Sequence, residues 1–280
     1  MRDAVFFTKK TLRVRGKLID LSTPIVMGIL NNTPDSFYDG GKYNNIKSLC
    51  ARAEVMLTEG VTFLDIGGYS TRPNAEDISE AEELKRVLPI IKELVKRFPE
   101  VNISIDTFRT NVAKAAVGEG ACMVNDISGG RLDEKMFETL AQLKVPYVLM
   151  HSRGTPQTMT QLTEYENIIE EIIDYFQQRI RLLSDLGCND VILDLGFGFA
   201  KTLMQNYFLL NNLTYFKALN CPILAGVSRK SMIFKKLNIT PAESLNGTTV
   251  LNTLAIINGA SILRVHDVKQ AKEVISLIAN

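Results

Sequence analysis

Phe63-Leu64-Asp65-Ile66, then Ser79-Glu80-Ala81-Glu82, then Leu84, Val87, Leu88, Ile91, Leu94, Val95 and Phe98 read as a strand, a loop and a helix. The first run is short and apolar. Ser79 with Glu82 three residues on is a capping box, and the apolar residues beyond it recur at helical spacing. A second short run, Asn102–Asp106, follows at once, so the unit is strand, helix, strand, the signature of parallel pairing.

The same alternation fills the chain. Further strand candidates are Pro24–Leu30, Cys122–Asn125, Tyr147–Met150, Val191–Asp194, Ile223–Ala225 and Ile262–Val265. Helical spacing is expected over Val112–Gly118 with Asn111 before it, and over Tyr165–Leu186, Glu243–Asn258 and Val268–Ala279. Eight strands, each followed by a helix, predict a (β/α)8 TIM barrel; a doubly wound open sheet is the alternative. Phe6–Thr8 and Leu12–Asp20, turning at Arg15-Gly16, predict a β-hairpin closing the bottom of that barrel. With no linker or low-complexity tract, residues 1–280 are expected to form a single domain.

Composition excludes several classes. The chain has 280 residues and a net charge of +1, which leaves no footprint for nucleic acid. No apolar run approaches the roughly 20 residues that cross a bilayer. The basic start of the chain lacks the apolar stretch of a secretory signal, so a cytoplasmic location is expected. Cys50, Cys122, Cys188 and Cys221 lie far apart, which argues against zinc and disulfides and for four small buried apolar side chains.

In a barrel of this kind the loops after the strand ends build the site. Here those ends are polar: Asn31 through Ser36, Gly67 through Pro73, Asp106, Asn125-Asp126, His151, Asp194, Ser228 through Ser231, and Arg264 through Asp267. Asp106, Asn125 and Asp194 converge from three strands and suit a flat heterocycle presenting several N–H donors. Arg72, Lys230, Arg264 and His266 suit a phosphate or pyrophosphate. Asn31 and Asp35 add oxygen for Mg2+, which keeps waters and uses substrate phosphates. No Ser-His-Asp order, His-x-x-x-His or Walker loop is present, and Gly196-Phe197-Gly198 fails as a dinucleotide fingerprint because position 201 is Lys. Singly, each residue has a plainer role. Asp106 and Asp194 can cap helices, Arg72 and the pair Arg229-Lys230 can be solvated charges, His151 and His266 can be satisfied internally, and Phe37 and Phe199 can be packing.

Five blocks then stand in order. Met27 through Phe37 resembles the first signature of the dihydropteroate synthase family, and Asp65 through Pro73 the second. Asn125 through Gly130, Ser228 through Ser231 and Arg264 through Val268 are similar to later blocks, so the resemblance runs from Pro24 to the C-terminus. It implies a Mg2+-dependent homodimeric barrel, a sulfonamide target. The implied reaction condenses 7,8-dihydro-6-hydroxymethylpterin pyrophosphate with p-aminobenzoate to dihydropteroate and pyrophosphate, in folate synthesis.

Carried over by motif, Asp106, Asn125, Asp194 and Lys230 are implied to hold the pterin, and Asn31, Thr71, Arg72, Arg264 and His266 the pyrophosphate, Asn31 also the metal. Pro73, Phe199, Lys230 and Ser231, with the start of its helix, are implied for p-aminobenzoate. Thr33, Asp35, Ser36 and Phe37 belong to a closing loop, and Asp35, Arg72, Asp106 and Lys230 are implied to carry the chemistry. An aromatic amine attacks uncharged, without a general base, and an electron-rich dihydropterin supports a cationic methylene. The implied path is therefore SN1-like, with electrostatic stabilisation and water exclusion.

Four positions depart from the family pattern: Tyr69 for Glu, Asn74 for Gly, Leu195 for Pro and Ala200 for Gly. Three other readings stay open at this point: a pterin-binding methyltransferase on the same barrel, a pterin-binding paralogue without turnover, and a barrel for another phosphorylated metabolite.

Overall fold

The computed structural model describes residues 9–32, 42–70 and 77–278. It opens with an antiparallel hairpin, β1 (Thr11–Val14) and β2 (Lys17–Asp20), turned by Arg15 and Gly16 at φ 48° and 76°. Both turn residues are left-handed, the conformation a two-residue hairpin loop needs. Of the expected hairpin, Phe6–Thr8 lies outside the described residues.

Eight parallel strands follow: β3 (Ile25–Asn31), β4 (Phe63–Gly67), β5 (Ile103–Asp106), β6 (Met123–Asp126), β7 (Tyr147–Met150), β8 (Val191–Asp194), β9 (Ile223–Ala225) and β10 (Ile262–Val265). They pair in chain order, and β10 pairs back to β3, so the barrel is closed and the open-sheet alternative falls. The helices are α1 (Lys42–Thr58), α2 (Glu80–Arg97), α3 (Thr110–Gly118), α4 (Met136–Leu143), α5 (Ile168–Asp185), α6 (Leu203–Asn211), α7 (Ser231–Leu237), α8 (Leu245–Ile257) and α9 (Val268–Ile278). Among the described residues, no helix is long and apolar enough to cross a membrane.

Two apolar layers follow from the period of two along each strand. Val26, Leu64, Ile66, Ile103, Ile105, Val124 and Leu149 pack outward against the helices. Met27, Phe63, Met123, Val148, Ile192, Leu224 and Ile262 fill the lower barrel, where Leu12 and Val14 of the hairpin and Leu21 beyond it plug the end. Filling one end with apolar side chains leaves Asn31, Asp65, Asp106, Asn125, Asp194 and Arg264 at inward positions toward the opposite end, where a ligand can meet them.

Helix starts moved where a local partner outcompeted the expected cap. Ser79 caps α2 by accepting the Glu82 N–H at 3.2 Å, but the Glu82 carboxylate turns to Arg86 instead of closing the box. The α3 helix begins at Thr110, whose N–H goes to Asp133 Oδ2, so Asn111 is not its cap. Helix α5 starts at Ile168 behind Asn167, whose side-chain oxygen caps it by accepting the Ile169 and Glu170 N–H groups at 3.2 and 3.4 Å. Helix α8 starts after Glu243, whose carboxylate serves the Thr240 N–H and hydroxyl. The four cysteines are free thiols; Cys50 and Cys122 are buried, while Cys188 and Cys221 are half-buried at the core's edge.

Candidate active site

At the C-terminal mouth of the barrel, β4, β5, β6, β8 and β10 each deliver one polar side chain inward. Register places Gly67 beside both Asn31 and Asp106, and Asp106 beside Asn125. Arg264 is the hub. Its Nε donates to Asp65 Oδ2 at 2.6 Å and its Nη2 to Asp106 Oδ2 at 2.7 Å. Asn125 Nδ2 donates to the same Asp65 oxygen at 3.0 Å, which leaves the Asn125 oxygen to face the mouth.

On the far side, Asp194 Oδ1 accepts the Gly196 N–H at 2.7 Å. Its other oxygen stands with Lys230 Nζ and the Arg264 stem around Gly226, each 3.8–3.9 Å from where a Cβ would be. Lys230 Nζ donates to the Phe197 carbonyl at 2.6 Å and lies 4.9 Å from the centre of the Phe199 ring. A β-carbon at Gly67 would stand 2.9 Å from Asn31 Oδ1, so that position is open only because it is glycine.

Electrostatics follow from burial. Burial pushes the Asp106 carboxyl up to about 7 against the pull of Arg264, with Asp65 adding to the rise. Burial likewise raises Asp194, against Lys230. It pushes the Lys230 ammonium down to about 8, against Asp194 and with Arg264. Burial works against the Arg264 charge, yet Asp65 and Asp106 hold its proton more tightly than usual. The site is thus a buried set of opposed charges that solvent screens weakly.

The remaining expected residues fall into groups. His266 lies beside this cluster, with Nδ1 3.0 Å from Ser228 Oγ, its N–H on the same oxygen and its carbonyl accepting from Arg52. Ser231 opens α7 directly after Lys230. Asn31 Oδ1 is buried with no hydrogen-bond partner among the described residues. Thr33, Asp35, Ser36 and Phe37, and Thr71, Arg72, Pro73 and Asn74, lie outside the described residues.

Other features correct or extend the sequence reading. Arg229 is not one of a solvated pair: it meets Asp267 through two hydrogen bonds, 2.8 and 3.0 Å. His151 is internally satisfied as expected, packed by Tyr165, Tyr175 and Phe176 and bonded to Lys201. Tyr69 is buried, edge-on to Phe108, and its hydroxyl accepts from Gln157 at 3.1 Å. Leu195 is buried in the outer core, and Ala200 stands at φ 49°, which explains why glycine is usual there.

Two functional residues escaped the sequence reading. Asp65 was legible as a charge inside an apolar strand, in phase with Phe63 and Gly67 and hence facing inward. Lys201 gave no pattern signal beyond spoiling a fingerprint. Among the described residues no cluster of three acidic, His or Cys side chains could hold a metal unaided. Mg2+ does not need one, since it is commonly held by one or two protein oxygens plus substrate phosphates. The partnerless Asn31 oxygen fits that use.

Comparison with known proteins agrees with this geometry. The family model described as "Pterin binding enzyme" matches residues 27–266. Dihydropteroate synthase of Escherichia coli is 42% identical over 270 residues, 95% of each chain. The Yersinia pestis dihydropteroate synthase, solved with a sulfonamide drug complex, superimposes with a TM-score of 0.90 at 41% identity, covering 95% of this chain and 97% of that one. The Xanthomonas albilineans enzyme, solved with 4-aminobenzoic acid, gives 0.89 at 36% identity, covering 96% and 97%.

Proposed function

The chain belongs to the dihydropteroate synthase family of pterin-binding enzymes, and from that premise we propose how its own residues divide the reaction. It is a transferase of folate biosynthesis that condenses 7,8-dihydro-6-hydroxymethylpterin pyrophosphate with p-aminobenzoate, giving 7,8-dihydropteroate and pyrophosphate.

The assignment of residues rests on one observation: acceptors from Asp106, Asn125 and Asp194 surround the same opening as the Lys230 ammonium. A dihydropterin edge offers an amino group and ring N–H groups as donors and a carbonyl oxygen as acceptor. Asp194 Oδ2, the Asn125 oxygen and the second Asp106 oxygen take the donors, and Lys230 gives to the carbonyl. Arg264 neutralises Asp65 and Asp106 beneath the ring, and its positive charge favours the departing pyrophosphate. Asn31, Thr71, Arg72 and His266 hold that group from the rim. Phe199, Lys230, Ser231 and Pro73 receive p-aminobenzoate, and Thr33, Asp35, Ser36 and Phe37 cover the site.

None of the described side chains is placed as a nucleophile. The carbon–oxygen bond to pyrophosphate breaks first, the dihydropterin carries the positive charge, and the buried carboxylates of Asp106 and Asp194 stabilise it. The uncharged amine then adds to the methylene carbon, and the proton it sheds leaves with the released pyrophosphate. Asn31 would hold Mg2+, which would supply further charge neutralisation on the leaving group. An isotopic oxygen placed in the ester bridge between the methylene carbon and the first phosphorus tests the order: scrambling into the non-bridging positions of that phosphorus in the absence of p-aminobenzoate is expected, and an unscrambled label contradicts cleavage before attack.

Met204 and Phe208 on α6, and Val250 and Ile257 on the adjoining α8, are exposed large apolar residues at helical spacing. They support a homodimer through this face. Four free thiols support a cytoplasmic enzyme.

A further inference from the structure

The turn after β8 is unusual in its backbone. Gly196, Gly198 and Ala200 all have positive φ, at 67°, 83° and 49°, so successive peptide groups face in different directions. A β-carbon at Gly196 would stand 2.0 Å from the His151 carbonyl oxygen, so the turn presses directly against the end of β7. The Gly196 carbonyl accepts the Phe199 N–H at 3.0 Å and, with the Phe199 carbonyl, turns inward, where buried oxygens draw further donors.

Lys201 supplies them. Its ammonium donates to the Phe199 carbonyl at 3.0 Å and the Gly196 carbonyl at 3.2 Å. It also reaches His151, with Nδ1 at 3.0 Å and the carbonyl at 3.4 Å. Both side chains are buried, Lys201 at 8% exposure and His151 at 3%. From the other side Lys230 holds the intervening Phe197 carbonyl, Asn206 Oδ1 takes the Gly198 N–H at 2.7 Å, and Asp194 takes the Gly196 N–H. One lysine therefore holds the inner carbonyls of the turn and a second, in the active site, holds the outer one.

We propose that Lys201 is a positioning residue for p-aminobenzoate, fixing the turn so that the Phe199 ring and the Phe197 carbonyl stand at their places beside Lys230. The inference rests on the assignment of Phe199 and Lys230 to the p-aminobenzoate end. Lys201 touches neither substrate. It acts through the turn, whose Phe199 ring serves p-aminobenzoate alone while Asp194 and Lys230 are also held by other contacts at the pterin, so its loss falls more heavily on p-aminobenzoate.

Titration supports the geometry. The groups facing Lys201 are His151, Asp194, Lys230 and Arg153. Burial pushes its ammonium down to about 7, against Asp194 and with Lys230 and Arg153. Burial, then Lys201, hold His151 well below the usual histidine range, so its neutral Nδ1 is the acceptor. Above that pH the amine keeps two hydrogens for four acceptors, and the turn loosens.

The test is steady-state KM for each substrate in Lys201→Met, Lys201→Gln and Phe199→Ala, across pH. KM reports only the folded, active fraction, so reduced yield does not obscure it. Lys201→Met is expected to raise the p-aminobenzoate KM about tenfold while the pterin pyrophosphate KM stays within about twofold, the size of effect a misplaced positioning group produces. Lys201→Gln, which keeps two donors, is expected to fall between Lys201→Met and the unsubstituted enzyme. The p-aminobenzoate KM of the unsubstituted enzyme is expected to climb through about pH 7, and that limb to vanish in Lys201→Met. Equal changes in both KM values, or none in either lysine variant, overturn the positioning role. An unchanged p-aminobenzoate KM in Phe199→Ala instead overturns the site assignment beneath it.

Discussion

Asp65 and Arg264, 199 residues apart in the chain, meet at 2.6 Å inside the barrel, and Asp65 is completely buried. The same Asp65 oxygen fixes the Asn125 amide, so one carboxylate sets both the cation and the acceptor that face the mouth. This makes the pair a structural dependency as well as a part of the site. Replacing Arg264 by Met leaves Asp65 and Asp106 facing each other without a countercharge. A loss of about 3–5 kcal/mol in stability is expected from breaking such a buried pair. Urea unfolding measures it, and Asp65→Asn in the Arg264→Met background is expected to restore part of the loss. An additive double mutant contradicts the coupling.

Pterin affinity is expected to depend on pH with a maximum between about 7 and 8. Burial raises Asp106 from 3.8 to about 7, so in the free enzyme it is protonated below neutrality. A pterin N–H needs the carboxylate, so binding releases a proton there, and affinity rises with pH until about 7. Lys230 loses its proton above about 8, and affinity falls again. The raised Asp106 pKa also has a consequence without ligand. The folded state holds that proton more tightly than the unfolded chain does, so its contribution to stability is full below pH 3.8 and is lost as pH rises through about 7. Calorimetry with the pterin alcohol, which lacks pyrophosphate, reads the binding limbs; a flat profile contradicts them.

Ala200 is held at φ 49° by its neighbours, with its carbonyl accepting from Tyr165. Glycine adopts this conformation without the steric penalty. Ala200→Gly is expected to stabilise the protein by about 0.5–1 kcal/mol after allowing for the extra conformational entropy glycine gives the unfolded chain. The urea midpoint reports it, and a destabilised variant contradicts the account of the turn.

Asn31 provides a test of the metal. With its side-chain oxygen buried and partnerless, Asn31→Ala removes a ligand without breaking a protein hydrogen bond among the described residues. The expected outcome is a weaker Mg2+ dependence of pterin pyrophosphate binding, while binding of the pterin alcohol is unchanged. Loss of both kinds of binding contradicts a metal role.

The barrel was legible because its signal is repeated: eight apolar runs with helices between them, and a polar residue at each end. Asp106, Asn125 and Asp194 could be placed at one mouth from their strand positions alone. What remained hidden depends on partners far apart in the chain. Arg264 reads as a phosphate ligand in sequence, and only the fold shows that its Nε and Nη2 are also held by Asp65 and Asp106. Arg229 looked solvated until Asp267 came beside it. Lys201 needed the left-handed turn to bring its amine under the Gly196 and Phe199 carbonyls, and no linear spacing encodes that. The start of α3 shifts for the same reason, since Asp133 lies 23 residues from Thr110, whereas at α8 Glu243 is taken by Thr240 only three residues before it.

The central claim is that this site couples pyrophosphate departure to p-aminobenzoate addition through the cations and carboxylates of one barrel mouth. The most direct measurement is pyrophosphate release from the pterin substrate with Mg2+, with and without p-aminobenzoate, while dihydropteroate is followed by chromatography. Release matched one for one by dihydropteroate, and lost in both Lys230→Ala and Arg264→Ala, is the predicted result. Tight pterin binding without dihydropteroate, or full turnover in Lys230→Ala, contradicts it.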